Sequence, residues 1–89
     1  MRTYYFDREV KFKEFKDAGL EVVDNRQRAA DYGEIPFAIK NGDSFVMIEK
    51  YTPSDDGIDN YTTSRVEGKG FGGKVLSDIM DMGINITPD

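Results

Sequence analysis

Ile35-Pro36-Phe37-Ala38-Ile39-Lys40-Asn41-Gly42-Asp43-Ser44-Phe45-Val46-Met47-Ile48-Glu49-Lys50-Tyr51 is the stretch that decides the fold. Two runs of β-favouring residues flank Asn41-Gly42. That dipeptide is a strong hairpin signal, because a type I′ turn needs positive φ at both central positions. A two-residue loop there pairs Lys40 with Asp43, a favourable cross-strand charge pair. Side chains alternate along a strand, so the same register puts Ile35, Phe37, Val46 and Ile48 on one face, the predicted core. It also sets Glu34 opposite Glu49, so pairing is expected to end near there.

Upstream of the hairpin, Thr3-Tyr4-Tyr5-Phe6 reads as a first strand. Three aromatics in a row leave at least one pointing outward. Asp7 as N-cap and Gly19 as C′ residue bracket a helix over 8–18, in which Phe12, Phe15 and Ala18 share a face. The alternation of Val10 and Phe12 equally suits a strand. Leu20 to Asp24 reads as a short strand, and Asn25 to Gly33 as a loop or a helical turn.

Downstream, Thr52 to Glu67 is long for a connection in a small domain, and such loops are often functional. It holds Pro53, Gly57 and an acidic group of Asp55, Asp56 and Asp59. Part of it, Ile58 to Val66, alternatively reads as a polar strand. Gly72 to Met82 reads as a second helix, with Val75, Leu76, Ile79, Met80 and Met82 towards the core. Gly83 ends it, and Ile84 to Thr87 suits a closing strand. The expected architecture is a single α+β domain over 1–89: an antiparallel sheet of four to five strands with two helices packed on one face.

The chain has 89 residues, a net charge of −5, no cysteine and no histidine. These absences exclude disulfides, thiolate zinc sites and every Ser-His-Asp or Cys-His arrangement. They also remove the commonest general base near neutral pH. No catalytic residue and no metal ligand is assigned. Acidity disfavours nucleic acid and anionic lipid as direct partners. No segment is apolar enough to span a membrane and no signal-peptide run is seen, so a cytoplasmic location is expected.

Gly68-Lys69-Gly70-Phe71-Gly72-Gly73-Lys74 concentrates four glycines and two lysines immediately before the second helix. Glycines at a helix start let backbone amides approach an anion. The spacing satisfies G-x-x-x-x-G-K, but Val75 stands where a nucleotide-binding P-loop has Ser or Thr for magnesium. A purely structural reading is a tight, exposed turn kept soluble by its lysines.

Residues 58–82, and Gly68 to Leu76 above all, resemble the pyrophosphate-binding motif A of GCN5-related N-acetyltransferases, whose pattern is Arg/Gln-x-x-Gly-x-Gly/Ala opening a helix. The resemblance implies acetyl-coenzyme A as ligand. Gly70 and Gly72 are then the motif glycines, Lys69 and Lys74 flank the phosphates, and Phe71 and Gly73 complete the loop. Glu67 occupies the position of the family's Arg or Gln.

The leading expectation is a different one: a small, acidic, non-enzymatic protein without cofactor. It would inhibit or modulate a larger, basic-surfaced protein or nucleoprotein complex by occupying its surface. In size, acidity and catalytic poverty it is similar to the accessory proteins that phages and mobile elements direct against host machinery. The candidate contacts are Asp55, Asp56, Asp59, Tyr61, Glu67 and Phe71, with exposed Tyr61 and Phe71 as anchors and the acids steering encounter.

Overall fold

Strands β3 (Phe37–Asn41) and β4 (Ser44–Ile48) form the predicted hairpin at the centre of the fold. In the computed structural model, which describes residues 1–89, its loop is Gly42-Asp43 rather than Asn41-Gly42. Asn41 pairs with Ser44, Lys40 with Phe45 and Phe37 with Ile48. Gly42 has φ 61° and no other residue type takes a positive φ. A turn with glycine at its first central position needs only that one, so Asn41 stays in the strand. The expected Lys40–Asp43 pair therefore does not form, and the ladder ends at Phe37–Ile48, short of Glu34 and Glu49 as expected.

Each pairing has moved by two residues, the side-chain repeat, so every side chain within the two strands keeps its face; Ile35, expected in the core, precedes β3 and is only half-buried. Phe37, Ile39, Val46 and Ile48 are buried, with Ile39 taking the place expected of Ile35.

The remaining elements are β1 (Arg2–Lys11), α1 (Phe12–Asp17), β2 (Glu21–Asp24), α2 (Arg26–Tyr32), β5 (Thr62–Gly68), α3 (Gly73–Asp81) and β6 (Ile86–Pro88). All strands join one antiparallel sheet in the order β2-β3-β4-β5-β1-β6. The fold is thus α+β, with six strands rather than four to five and a third short helix, α2, where a loop or a helical turn is expected.

The helix expected over 8–18 begins four residues later. Val10 is fully buried as part of β1, and the alternation that suits a strand prevails there. The helix start is set instead by Glu14, whose carboxylate accepts the Lys11 backbone amide at 2.8 Å and the Arg8 guanidinium at 2.9 Å. An acceptor of this kind satisfies one of the amides that a helix start leaves free.

α1 buries Phe12 and Phe15, and α3 buries Val75 and Ile79. These four join Phe6, Val10, Leu20, Phe37, Ile39, Val46, Ile48, Val66 and Ile84 in one core cluster, so both helices lie on the same face of the sheet. α2 buries nothing. Met80, expected inside, is turned to solvent, while Leu76 and Met82 pack on the rim of the core. The cross-strand pairs Val23–Ala38, Ala38–Met47, Met47–Glu67, Glu67–Thr3 and Arg65–Tyr5 run across the opposite face, on which neither α1 nor α3 packs.

Candidate functional site

The acidic loop is closed at its neck by backbone pairing. Thr52 and Thr62 exchange two hydrogen bonds, at 2.8 and 3.0 Å. Just inside the neck Tyr51 and Tyr61 stack at 5.7 Å with their planes 7° apart. Both rings pack on Phe12 and Phe37. The Arg26 guanidinium lies over Phe37 and Tyr61, at 5.5 and 5.6 Å, and donates to the Tyr61 hydroxyl at 3.1 Å. Asp24 holds that guanidinium at 2.8 Å and is itself drawn below the usual carboxylate range by it. Stacked rings under a cation make a rigid base, each contact adding a fraction of a kcal/mol to about 1 kcal/mol.

Above this base the loop makes one 3-10 turn at Ile58–Asn60, and Ile58 packs against the core. Ser54 Oγ accepts the Asp56 amide at 3.1 Å, and the Asn60 side-chain amide donates to the Asp56 carbonyl at 3.4 Å. Gly57 sits between them at φ 104°, a conformation L side chains rarely adopt. Asp59 is ion-paired with Lys16 at 2.6 Å. Asp55 and Asp56 stand exposed at the tip with no cation beside them.

The glycine-rich segment leaves β5 through a turn closed by the Gly72 amide on the Lys69 carbonyl at 3.1 Å. The Phe71 carbonyl accepts from the Phe45 amide at 3.0 Å and from Ser44 Oγ at 2.6 Å. Ser44 Oγ in turn accepts the Val75 amide at 3.1 Å, so a strand residue caps α3. Gly72 is buried: a Cβ there would stand 3.0 Å from Val46 Cγ1. Lys69, Gly70, Phe71, Gly73 and Lys74 are exposed. The Phe71 ring, 66 % exposed, stacks nearly parallel on Phe45 at 6.2 Å.

Two expected contact residues are not free surface. Tyr61 is half-buried in the aromatic base rather than exposed, because Phe12, Phe37 and Tyr51 converge on it from distant parts of the chain. Glu67 is 4 % exposed. Its carboxylate accepts the Glu49 amide at 3.2 Å and lies 3.1 Å from Arg65 Nε. Burial pushes this carboxyl above its ordinary range, against the opposing pull of the Glu49 amide and of Arg65.

The expected set also divides. Tyr61, just before β5, and Glu67, near its far end, stand about 20 Å apart at some 3.3 Å per residue. Asp55, Asp56, Asp59 and Tyr61 form one group at the acidic loop, and Glu67 and Phe71 belong to the other end.

Sequence reasoning passed over a third region. Beside the ends of α2, where Asn25, Gly33 and Glu34 meet the hairpin, Ile35, Phe37, Ala38, Phe45 and Met47 line a concavity of about 380 Å3. Its signal is the other phase of the hairpin alternation, in which Ala38, Phe45 and Met47 are apolar as well.

No protein-family model, curated protein or solved structure matches the chain. No helix is long and apolar enough to cross a membrane.

Proposed function

We propose that this chain is a small non-enzymatic binding protein that inhibits or modulates a larger protein or nucleoprotein complex by occupying a basic surface on it. The observation that carries this reading is the pre-ordered acidic loop. Binding costs the entropy of ordering whatever was mobile, and a loop already held in shape loses little. Here the Thr52–Thr62 pairing, the Tyr51–Tyr61 stack and the Asp59–Lys16 ion pair hold the loop, while Asp55 and Asp56 are left uncompensated at its tip. Eight of the seventeen acidic residues and seven of the twelve basic ones are ion-paired, so the charge outside ion pairs is predominantly acidic. Charge of this kind steers encounter with a basic surface and suppresses contact with acidic ones.

The test is parallel affinity capture from a lysate with the immobilised wild-type chain and with an Asp55→Lys, Asp56→Lys, Asp59→Lys variant, at low and high salt. A protein retained by the wild type at low salt, absent from the variant and released by salt supports the reading. Identical retention by both chains would overturn it.

The acetyl-coenzyme A reading rests on a different observation: Lys69 and Lys74 are exposed at the N-terminus of the nine-residue α3, whose dipole favours anions. Calorimetry with acetyl-coenzyme A addresses it directly. One-to-one heat in the micromolar range, lost on replacing Gly70 with a bulky residue, would place the protein in that class instead.

A further inference from the structure

We propose that the seam between β4 and β5 is a pH-governed fastening for the stem of the acidic loop, and that it opens more readily when Glu67 ionises. The two strands are in one register at Met47–Glu67 and again at Thr52–Thr62, yet no β4–β5 pair forms between those points. Backbone groups in such a gap need other partners. Two side chains of β5 supply them. Glu67 Oε2 accepts the Glu49 amide at 3.2 Å. Thr63 Oγ1 lies 2.8 Å from both the Lys50 and the Arg65 carbonyls, which share its one hydrogen. Glu67 and Thr63 are both buried, so the fastening sits inside the molecule.

Glu67 governs the seam because of what surrounds it. Its carboxylate shares one cation with that of Glu49: Arg65 Nε is 3.1 Å from Glu67, and Arg65 Nη2 is 3.8 Å from Glu49. Arg65 Nε and Glu67 Oε1 are buried and, despite their approach, make no aligned hydrogen bond. With Glu67 neutral, the cluster holds one cation and one anion. With Glu67 ionised, it carries a net negative charge beside a buried carboxylate, which is costly.

The other neighbours do not relieve that charge. β1 brings Thr3 opposite Glu67 and the Tyr5 phenol opposite Arg65, and Asp89, after β6, accepts the Thr3 amide. Lys50 and Glu9 line a concavity of about 130 Å3 at the gap, with Thr62, Thr63 and Ser64. No second cation is ion-paired with Glu67.

Opening the seam returns Glu67 to water and to its ordinary range, whereas burial pushes it upward in the closed form. The closed seam therefore holds the proton more tightly, and opening becomes easier as pH rises through the raised value. Local openings of this kind lie below global unfolding in free energy. For a partner of the acidic loop, a consequence that rests on the function proposed above, the seam sets how firmly Asp55 and Asp56 are presented.

Amide hydrogen exchange of the free chain, followed by NMR from about pH 4 to about pH 8, tests this above the ordinary glutamate range. It needs no partner, so failure to capture one leaves the proposal standing. After correction for intrinsic exchange, protection of the Glu49, Thr52 and Thr62 amides is expected to fall as pH rises. That of Ile39 and Val46, in the hairpin, is expected to change less. Glu67→Gln is expected to abolish the pH dependence at the three seam amides. Thr63→Val removes the other fastener, and is expected to lower protection of Thr52 and Thr62 at every pH while the dependence on Glu67 stays. Wild-type seam protection that is flat or rises with pH would overturn the proposal, whether or not the variants fold. So would a fall shared equally by Ile39 and Val46, which would make Glu67 a property of the whole fold, or a dependence that survives in Glu67→Gln.

Discussion

Ser44, the first residue of β4, accepts the backbone amide of Val75 in the first turn of α3 at 3.1 Å. The residue that opens this helix, Gly72, has no side chain with which to cap it, so the sheet supplies the oxygen that the local sequence lacks. The same hydroxyl donates to the Phe71 carbonyl at 2.6 Å, tying the glycine-rich turn to the hairpin. Ser44→Ala is therefore expected to lower stability by about 1 kcal/mol, the usual cost of losing a cap. Urea unfolding of the two proteins checks this, and the midpoint should fall with an unchanged slope.

Two neighbouring glycines are expected to respond in opposite directions to the same substitution. A Cβ at Gly72 would meet Val46 Cγ1 at 3.0 Å and lie 3.5 Å from the Phe45 carbonyl oxygen, while one at Gly73 meets nothing within 4 Å. Val46 is buried and fixed in the sheet, so it cannot yield cheaply. Gly72→Ala is expected to cost roughly 1–3 kcal/mol through overpacking. Gly73→Ala, at the first helical position, is expected to be neutral or to stabilise by up to about 1 kcal/mol. Thermal unfolding of both variants reads the contrast. It separates a glycine required for packing from one that leaves the loop open to a ligand.

What the sequence disclosed of this fold follows the range of the interactions concerned. Phe37, Val46 and Ile48 were legible because strand alternation is local, and so was the end of α3 at Gly83, whose φ is 85°. The hairpin register was not, because Asn-Gly and Gly-Asp both satisfy a two-residue turn and only the ladder chooses between them. Arg8 to Lys11 has helical and strand readings of similar merit, and burial of Val10 among distant residues decides it. The site was harder. Asp55 and Asp56 are where an acidic, glycine-containing loop suggests, but Tyr61 and Glu67 are withdrawn from the surface by groups that share no local pattern with them. The opposite face, with Ala38, Phe45 and Met47, is written in the second phase of the hairpin. It becomes readable only once α1 and α3 are known to pack on the other side.

The acidic tip should be energetically silent in the free protein. Asp55 and Asp56 have no ion partner, so reversing their charge is expected to change stability by less than about 0.5 kcal/mol, as for ordinary surface substitutions. Asp59→Lys additionally loses the exposed pair with Lys16, worth at most about 1 kcal/mol. A melting temperature that falls steeply on changing Asp55 and Asp56 alone would show that the tip is structural, and would remove the ground for reading it as a contact surface.

Glu67 gives the stability of the protein a pH dependence of unusual sign. Most shifted carboxyls here, Glu14, Asp24 and Glu34, are held low chiefly by an arginine each. They contribute stability above their unfolded values and lose it as the solution is acidified. Glu67 is shifted upward, mainly by burial, although Arg65 and the Glu49 amide face it. Its strand partners Met47 and Thr3 add no charge, while the neighbouring Glu49 carboxylate raises it further. The folded state therefore binds its proton more tightly than the unfolded chain does. Its contribution is complete below the ordinary glutamate range and is lost as pH rises through the raised folded value. Glu67→Gln keeps an acceptor for the Glu49 amide and cannot ionise. The variant is expected to match the wild type near pH 4, to gain on it as pH rises from the ordinary glutamate range through the raised folded value, and to hold that gain at higher pH. Denaturation midpoints of the two proteins across that range measure the difference, in which the other carboxyls cancel. A difference that shrinks with rising pH would mean that the pairing with Arg65 outweighs the burial of this carboxylate.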